Sequence, residues 1–528
     1  MTPHLRNHPL RCALAAGGGA AALIWLGPPG ADLAAHVYQR AMFIQHGFAL
    51  WSNYWYAGHY SYITHSVLYY PLAAVIGIKL LAVATAALAA AAFASLIHKE
   101  WPTAGPWPAR AFAFVAAAAV LTGAYPYALG FAIGLLALRA VRGDPRLFAL
   151  LLALTFAASP LAFGLIALIL VAGAASTRPR LGAQAATVIS LAGIGAVLWR
   201  IFPDGGRFPF SVAELGASLA FCAFGAAFTW RVPAAKLLRS FFLVYAAACL
   251  TFFVIPSGIG ENIARLRFVA LPIAVLALSL RRWRPVFPAV ITLLLATSWN
   301  LTPLAFSYAH QSADPSASAA YWQPVVKYLH SHLSPSYRVE AVDTSGHWEA
   351  VYLPQARIPI ARGWFRQDDF PENAVLYGHL GAHAYIQWLR GLGVGYVVLS
   401  DAPPDYSARG ETRLLQSGRS GLTPVLRTAH ATIYAVPQPR AIITGAAGAT
   451  VTQFGASTIT VDLPARGDYR VAVRYSPYWQ APADACLSHL ADGMLGLDVS
   501  HPGKVKIQFA VTAQRALSAG AAATRDCP

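Results

Sequence analysis

The chain of 528 residues is 57% hydrophobic and 12% charged, with a mean hydropathy of +0.49. It is too apolar for an ordinary soluble domain, and the composition is that of a membrane protein. Its net charge of +17 does not indicate a nucleic-acid partner, because the basic residues sit in short clusters between apolar segments, as topology signals do.

No Walker loop, no dinucleotide fingerprint after a strand and no zinc-type Cys/His spacing occurs. Arg6 and Arg11 precede an apolar run that ends in Ile24-Trp25-Leu26. That ending lacks the small residues of a cleavage site, so an uncleaved first transmembrane helix is expected. Apolar runs near 11–27, 71–97, 109–124, 126–141, 146–158, 160–175, 181–202, 211–230, 238–256, 266–280 and 285–302 predict about eleven transmembrane helices. Several are short for a hydrocarbon layer of about 30 Å. The division between 146–158 and 160–175 rests on Ser159-Pro160 alone.

Basic residues fall in alternate loops: His98, Lys99 and Arg110; then Arg139, Arg142 and Arg146; then Arg178 and Arg180; then Arg231, Lys236 and Arg239; then Arg281, Arg282 and Arg284. The positive-inside rule puts these loops and the N-terminus in the cytoplasm. An odd helix count then puts the C-terminal region outside a multi-pass plasma-membrane protein. Arg40, Arg207, Arg265 and Arg267 are basic residues on the outer side and call for a local explanation.

The first outer loop holds the densest chemistry. Gly27-Pro28-Pro29-Gly30 stops one helix and lets another begin at Asp32. Asp32, His36 and Arg40 are spaced i, i+4, i+8 and share one helix face. Asp32 is either the N-cap of an interfacial helix or part of a chemical site. The aromatics Trp51, Tyr54, Trp55, Tyr56, Tyr60, Tyr62, Tyr69 and Tyr70 read as an interfacial belt or as a sugar-binding groove. His59 and His65 lie in the same loop without a clear metal partner.

Asp204, in Pro203-Asp204-Gly205-Gly206, reads as a turn residue. Gly258, Gly260, Glu261, Asn262, Arg265 and Arg267 form a loop leading into a helix. That loop is either a phosphate site or a re-entry turn whose arginines reach lipid headgroups.

The region from Tyr308 onward is polar. In 308–437, helices (Ala317–His332, Asn373–Leu392) alternate with strands (Arg338–Asp343, Tyr396–Ser400, Thr432–Val436), predicting an α/β subdomain. In 438–528, alternation over Tyr469–Tyr475 and Lys504–Phe509 predicts a β-sandwich. Cys12, Cys222 and Cys249 lie in apolar helices. Cys486 and Cys527 are an even pair in an oxidising compartment, and a disulfide between them is expected. Trp364, Phe365, Asp368 and Asp369 read either as an acceptor-contacting group or as a solvated loop with one buried Trp. Tyr478 and Trp479 read as glycan-stacking or core residues.

Asp32-x-x-x-His36-x-x-x-Arg40, followed by Gly47, Trp51 with Trp55, Gly58 and Tyr69-Tyr70-Pro71-Leu72, resembles a largely actinobacterial group of integral membrane proteins. These are often labelled 6-pyruvoyl-tetrahydropterin synthase-related. Gly260-Glu261-Asn262-x-x-Arg265-Leu266 is similar to the late loop of that group. The helix order of residues 1–307 resembles membrane glycosyltransferases of the C-type fold. A pterin activity would need a compact soluble fold with a zinc triad, which this chain lacks.

The resemblance implies sugar transfer on the outer face from a polyprenyl-phosphate donor to an envelope glycan or lipid acceptor. It implies Asp32 as general base, with His36, Arg40, Trp55, His65, Glu261, Asn262, Arg265 and Arg267 as substrate-binding residues. Leu33 stands where many such enzymes carry a second acid, so no metal cofactor is expected. The rival readings are a transporter or flippase of lipid-linked glycans, which would need repeated halves with midplane polar sites, and a non-catalytic envelope assembly factor.

Overall fold

The apolar runs fold as helices. The computed structural model describes residues 8–63, 65–177, 182–203 and 206–518, so Arg6, Arg178, Arg180, Asp204 and Cys527 lie outside the described residues. Among these, seven helices are long and apolar enough to cross a membrane: His8–Leu26, Ile78–Glu100, Gly182–Ile201, Val212–Thr229, Pro233–Val254, Gly260–Leu280 and Val286–Ser312. Four shorter apolar helices, Trp107–Thr122, Tyr125–Ala140, Pro145–Ala158 and Pro160–Ala175, fill the remaining predicted positions.

Local chemistry sets the breaks. Asp144 accepts a hydrogen bond from the Arg146 amide and starts the helix at Pro145, and Ser211 caps the next-but-two helix by accepting from the Glu214 amide. Ser159 is extended, at φ −163° and ψ 113°, so Ser159-Pro160 does separate two helices. The expected single run 71–97 is broken at Gly77, whose φ is 88°. The last helix runs ten residues past the predicted end, to Ser312, with Pro303 inside it. Within the stretch expected to be a loop, Pro256–Arg267, a 3₁₀ helix begins at Gly260 and runs to Val269.

The chain divides into two compact units. The first comprises Met1–His36, His65–Val197 and Gly206–Ala313; the second comprises Val37–Thr64, Leu198–Gly205 and Asp314–Pro528. In the first unit, the helix Ile78–Glu100 buries Ala82, Ala86, Ala89, Ala90 and Ala94. Small side chains let neighbouring helices approach closely where apolar burial gives no preference over lipid. The basic loops gather at one end: Lys99 Nζ donates to the Arg139 carbonyl, Arg142 pairs with Glu100 at 3.1 Å, Trp101 Nε1 donates to the Ala234 carbonyl and Arg281 to the Phe228 carbonyl.

The second unit holds one two-stranded and three four-stranded sheets. A hairpin of β1 (Trp51–Ser52) and β2 (His59–Tyr60) comes from the first predicted outer loop. A mixed sheet runs β3–β4–β6–β5, with β3 (Arg338–Ala341) parallel to β4 (Val394–Ser400), and β5 (Thr423–Arg427) and β6 (Ala431–Ala435) antiparallel. With the helices Ala319–His332 and Ala382–Gly391 it makes the α/β layer. The remaining strands form a sandwich. One sheet is β12 (Ala485–His489), β13 (Met494–Val499), β10 (Gly467–Arg474) and β7 (Ile443–Thr444). The other is β11 (Trp479–Gln480), β14 (Gly503–Phe509), β9 (Thr458–Leu463) and β8 (Thr450–Phe454).

The loop aromatics are neither a belt nor an open groove. All eight, from Trp51 to Tyr70, are buried. Trp51 stacks on Phe509 at 4.9 Å and packs edge-on against Trp479, while the Tyr60 and Ser476 hydroxyls hydrogen-bond at 2.9 Å. A segment some 400 residues distant in sequence thus completes the sandwich core, and Tyr478 and Trp479 belong to that core. Cys486, on β12, is disulfide-bonded, whereas Cys12, Cys222 and Cys249 are free.

Candidate active site

At the end of the first unit opposite its basic loops, two tight turns meet backbone to backbone. Gly30 packs with any Cβ position 2.8 Å from Gly123, and Gly123, at φ 71°, packs with its own 2.6 Å from the Asp32 amide nitrogen. No side chain fits at either position, and Gly123 alone adopts its conformation without strain. This closeness lets the Ala31 and Asp32 amides donate to the Leu121 and Thr122 carbonyls at 3.1 and 2.9 Å. Asp32 is thereby fixed immediately before the helix Leu33–His46.

One turn on, His36 is buried. Its Nδ1 lies 3.2 Å from the Tyr70 hydroxyl, and its ring packs among Tyr69, Tyr70 and Tyr125 at 5.7–6.0 Å. Burial, then the charges of His65 and Arg265, push His36 down to about 3 against a contact with the Gly123 backbone. His36 is therefore a neutral hydrogen-bonding group at neutral pH. Asp32, His36, His65 and Arg265 are brought to one end of one unit, from three separate stretches of sequence.

The late loop divides into two parts. Arg265 Nε donates to Asn262 Oδ1 at 2.9 Å, and its guanidinium lies 5.5 Å from the Tyr127 ring centroid. Arg267 instead pairs with Glu214 at 3.2 Å, and Glu214 also accepts from Trp299 Nε1. Glu261 accepts from the Ser211 amide at 3.2 Å. Asn262, Glu261 and Arg267 thus hold neighbouring protein groups. Between the helices Ile78–Glu100, Trp107–Ala118 and Tyr125–Ala140 runs an apolar crevice whose lining includes Thr122, Tyr125, Tyr127 and Phe268. Val120 and Thr122, from the turn on which Asp32 is seated, are among its lining residues.

Two expected substrate-binding residues lie in the second unit. Arg40 continues the helix Leu33–His46. Trp55 is fully buried, donates from Nε1 to the Ala350 carbonyl at 2.9 Å and stacks on Tyr38 at 4.1 Å. A ring with no exposed surface has nothing for a sugar to stack on.

The second unit also holds a charged interior that sequence reasoning missed. Arg362, 1% exposed, donates from Nε and Nη2 to both Asp369 oxygens at 2.9 and 2.7 Å and pairs with Asp343 at 2.8 Å. Arg366 pairs with Asp405 at 2.9 Å. His347 lies 3.6 Å from Glu349 on one side and from Asp405 on the other, with the Trp364 ring stacked on it at 3.7 Å. Glu349 accepts from the Thr344 amide and hydroxyl.

Burial is opposed by Arg362 at Asp369, which is held below its usual range. Burial pushes Asp343 and Glu340 well up, Glu349 up to about 8 and Glu411 up to about 7. Asp368 and Asp369 are therefore interior groups, not part of a solvated loop. The available signal was Asp343-x-x-x-His347-x-Glu349, an acid at a predicted strand end followed by a Gly346 turn. No protein-family model matches this chain, and no curated protein sequence matches it.

Proposed function

We propose that the chain is a membrane glycosyltransferase with eleven crossings, a cytoplasmic N-terminus and an extracytoplasmic C-terminal region. It moves a sugar from a polyprenyl phosphate to an envelope glycan or lipid. The observation that carries the reading is the seating of Asp32 on the Leu121–Thr122 turn, whose Thr122 lines an apolar crevice, with Arg265 over Tyr127, another lining residue.

An apolar crevice suits a prenyl chain, a guanidinium suits its phosphate, and a fixed carboxylate suits proton abstraction. The acceptor hydroxyl oxygen attacks the anomeric carbon as its proton passes to Asp32, and the bond from that carbon to the phosphate oxygen breaks. The departing polyprenyl phosphate gains negative charge, which Arg265 offsets. The resemblance of the Asp32–Arg40 motif and the alternation of basic loops support the same reading.

The test is transfer by membranes holding wild-type or Asp32→Asn protein, supplied with a panel of radiolabelled polyprenyl-phosphate sugars. Wild type is expected to transfer one donor's sugar, and the variant to be slower by about 10²–10⁴-fold at equal protein level. Transfer that survives in the variant removes Asp32 from the role of base. Absence of transfer from every donor favours lipid-linked glycan transport or envelope assembly.

A further inference from the structure

We propose that Asp343, His347 and Glu349 bind one divalent metal ion inside the second unit, zinc or manganese being suited to two carboxylates and an imidazole. The inference stands independently of the role given to Asp32. All three side chains are buried, and each presents a ligand atom such that the three lie within 4.8 Å of one another.

The spacing of His347 and Glu349 is wrong for a hydrogen bond and right for two ligands of one ion. His347 Nδ1 lies 3.6 Å from Glu349 Oε1, beyond hydrogen-bond reach. Two donor atoms bonded to one ion at about 2.0–2.1 Å, at a tetrahedral angle, stand about 3.4 Å apart.

Two further observations point to a ligand. The imidazole of His347 is 1% exposed, yet neither ring nitrogen has a hydrogen-bond partner. That is a costly state for a buried polar group. Asp314 Oδ2 is likewise buried and without a partner, and it crowds Gly346 on the His347 turn.

The surroundings hold the imidazole in place. His347 Nε2 faces Asp405 at 3.6 Å, Asp405 is anchored by Arg366 at 2.9 Å, and Trp364 covers the ring. The Nε2–Asp405 gap is a few tenths of an ångström beyond a hydrogen bond; closing it as the ion binds would put a carboxylate behind the ligating histidine, which is how proteins orient such a ligand and raise its basicity. Arg362 holds Asp343 at 2.8 Å.

The experiment uses full-length, untagged protein in detergent, stripped with EDTA, incubated separately with zinc and with manganese, then desalted. Elemental analysis is expected to find about one ion per chain for at least one metal, with a matching rise in Tm. His347→Ala and Glu349→Gln should fall to background. Asp405→Asn keeps all three ligands and should weaken affinity by about 10–100-fold. Wild type that retains neither metal and shows no Tm rise overturns the proposal. So does a folded His347→Ala that binds as much as wild type. Should that variant not fold, Asp405→Asn binding at wild-type affinity overturns it.

Discussion

The two units treat charge in opposite ways. In the first, ionic groups collect at the two ends of the helices, and the interior is built from alanine, phenylalanine and leucine. Among the described residues its ion pairs, Arg142 with Glu100 and Arg267 with Glu214, leave every member at least 15% exposed. In the second, Arg362, Asp343, Asp369, Glu340 and Glu411 are all buried within a layer of strands and short helices.

The contrast follows from the number of partners available. A helix in an apolar bundle satisfies its own backbone and offers a buried ion nothing. The second unit instead converges several loops on each guanidinium. A buried ion pair seldom adds net stability, but removing one member leaves an uncompensated charge.

Four expectations sharpen this contrast. Arg362→Met should cost the second unit about 3–5 kcal/mol, because Asp343 and Asp369 lose their partner in the interior. Chemical denaturation followed by tryptophan fluorescence would measure it, and a cost no larger than that of a surface variant would mean the network is not what holds the layer.

The next effect is a pH response of opposite sign in the two units. His36 is held at about 3 when folded and near its ordinary value of about 6.5 when unfolded. Its folded value is depressed, so protons bind the unfolded chain first. Stability should fall as pH drops below about 6.5, by about 2 kcal/mol between pH 7 and 5. Glu411 is raised to about 7 when folded, so its contribution is full below its ordinary range and lost as pH rises toward 7. Tm profiles of His36→Gln and Glu411→Gln should each flatten in the matching direction. A wild-type profile unchanged by either variant would contradict both assignments.

Gly123→Ala should cost more than about 1 kcal/mol, because at φ 71° it forces a side chain against the Asp32 amide. If Asp32 is the base, sugar transfer should fall further than stability does, since small misplacements are costly to catalysis. Equal losses in the two would argue against a positioning role for that turn. Least of all, Arg142→Ala should change stability by less than about 1 kcal/mol.

Much of the helical unit was legible from residue order. Hydrophobic run length, Ser159-Pro160 and the basic clusters are local signals, and the helices appear where they indicate. The α/β strands and the alternating strands of the sandwich were equally readable, because a period of two in side-chain polarity is also local. The Gly77 break and the 3₁₀ geometry of Gly260–Val269 were not, since both depend on how short helices pack.

Assigning the loop aromatics to a membrane belt or a groove failed for a definite reason. Trp51 and Tyr60 reach their partners Phe509 and Ser476 across more than four hundred residues. No local pattern records such a contact.

The sequence by itself determined a membrane protein, its helix positions and its polar C-terminal region, all consequences of periodicity and composition. Tertiary structure alone decided that Gly30 and Gly123 dock Asp32 beside a crevice, that Trp55 is interior, and that Asp343, His347 and Glu349 converge among buried charges. These depend on backbone approach and on burial of ionic groups, and both arise only when distant segments are brought together.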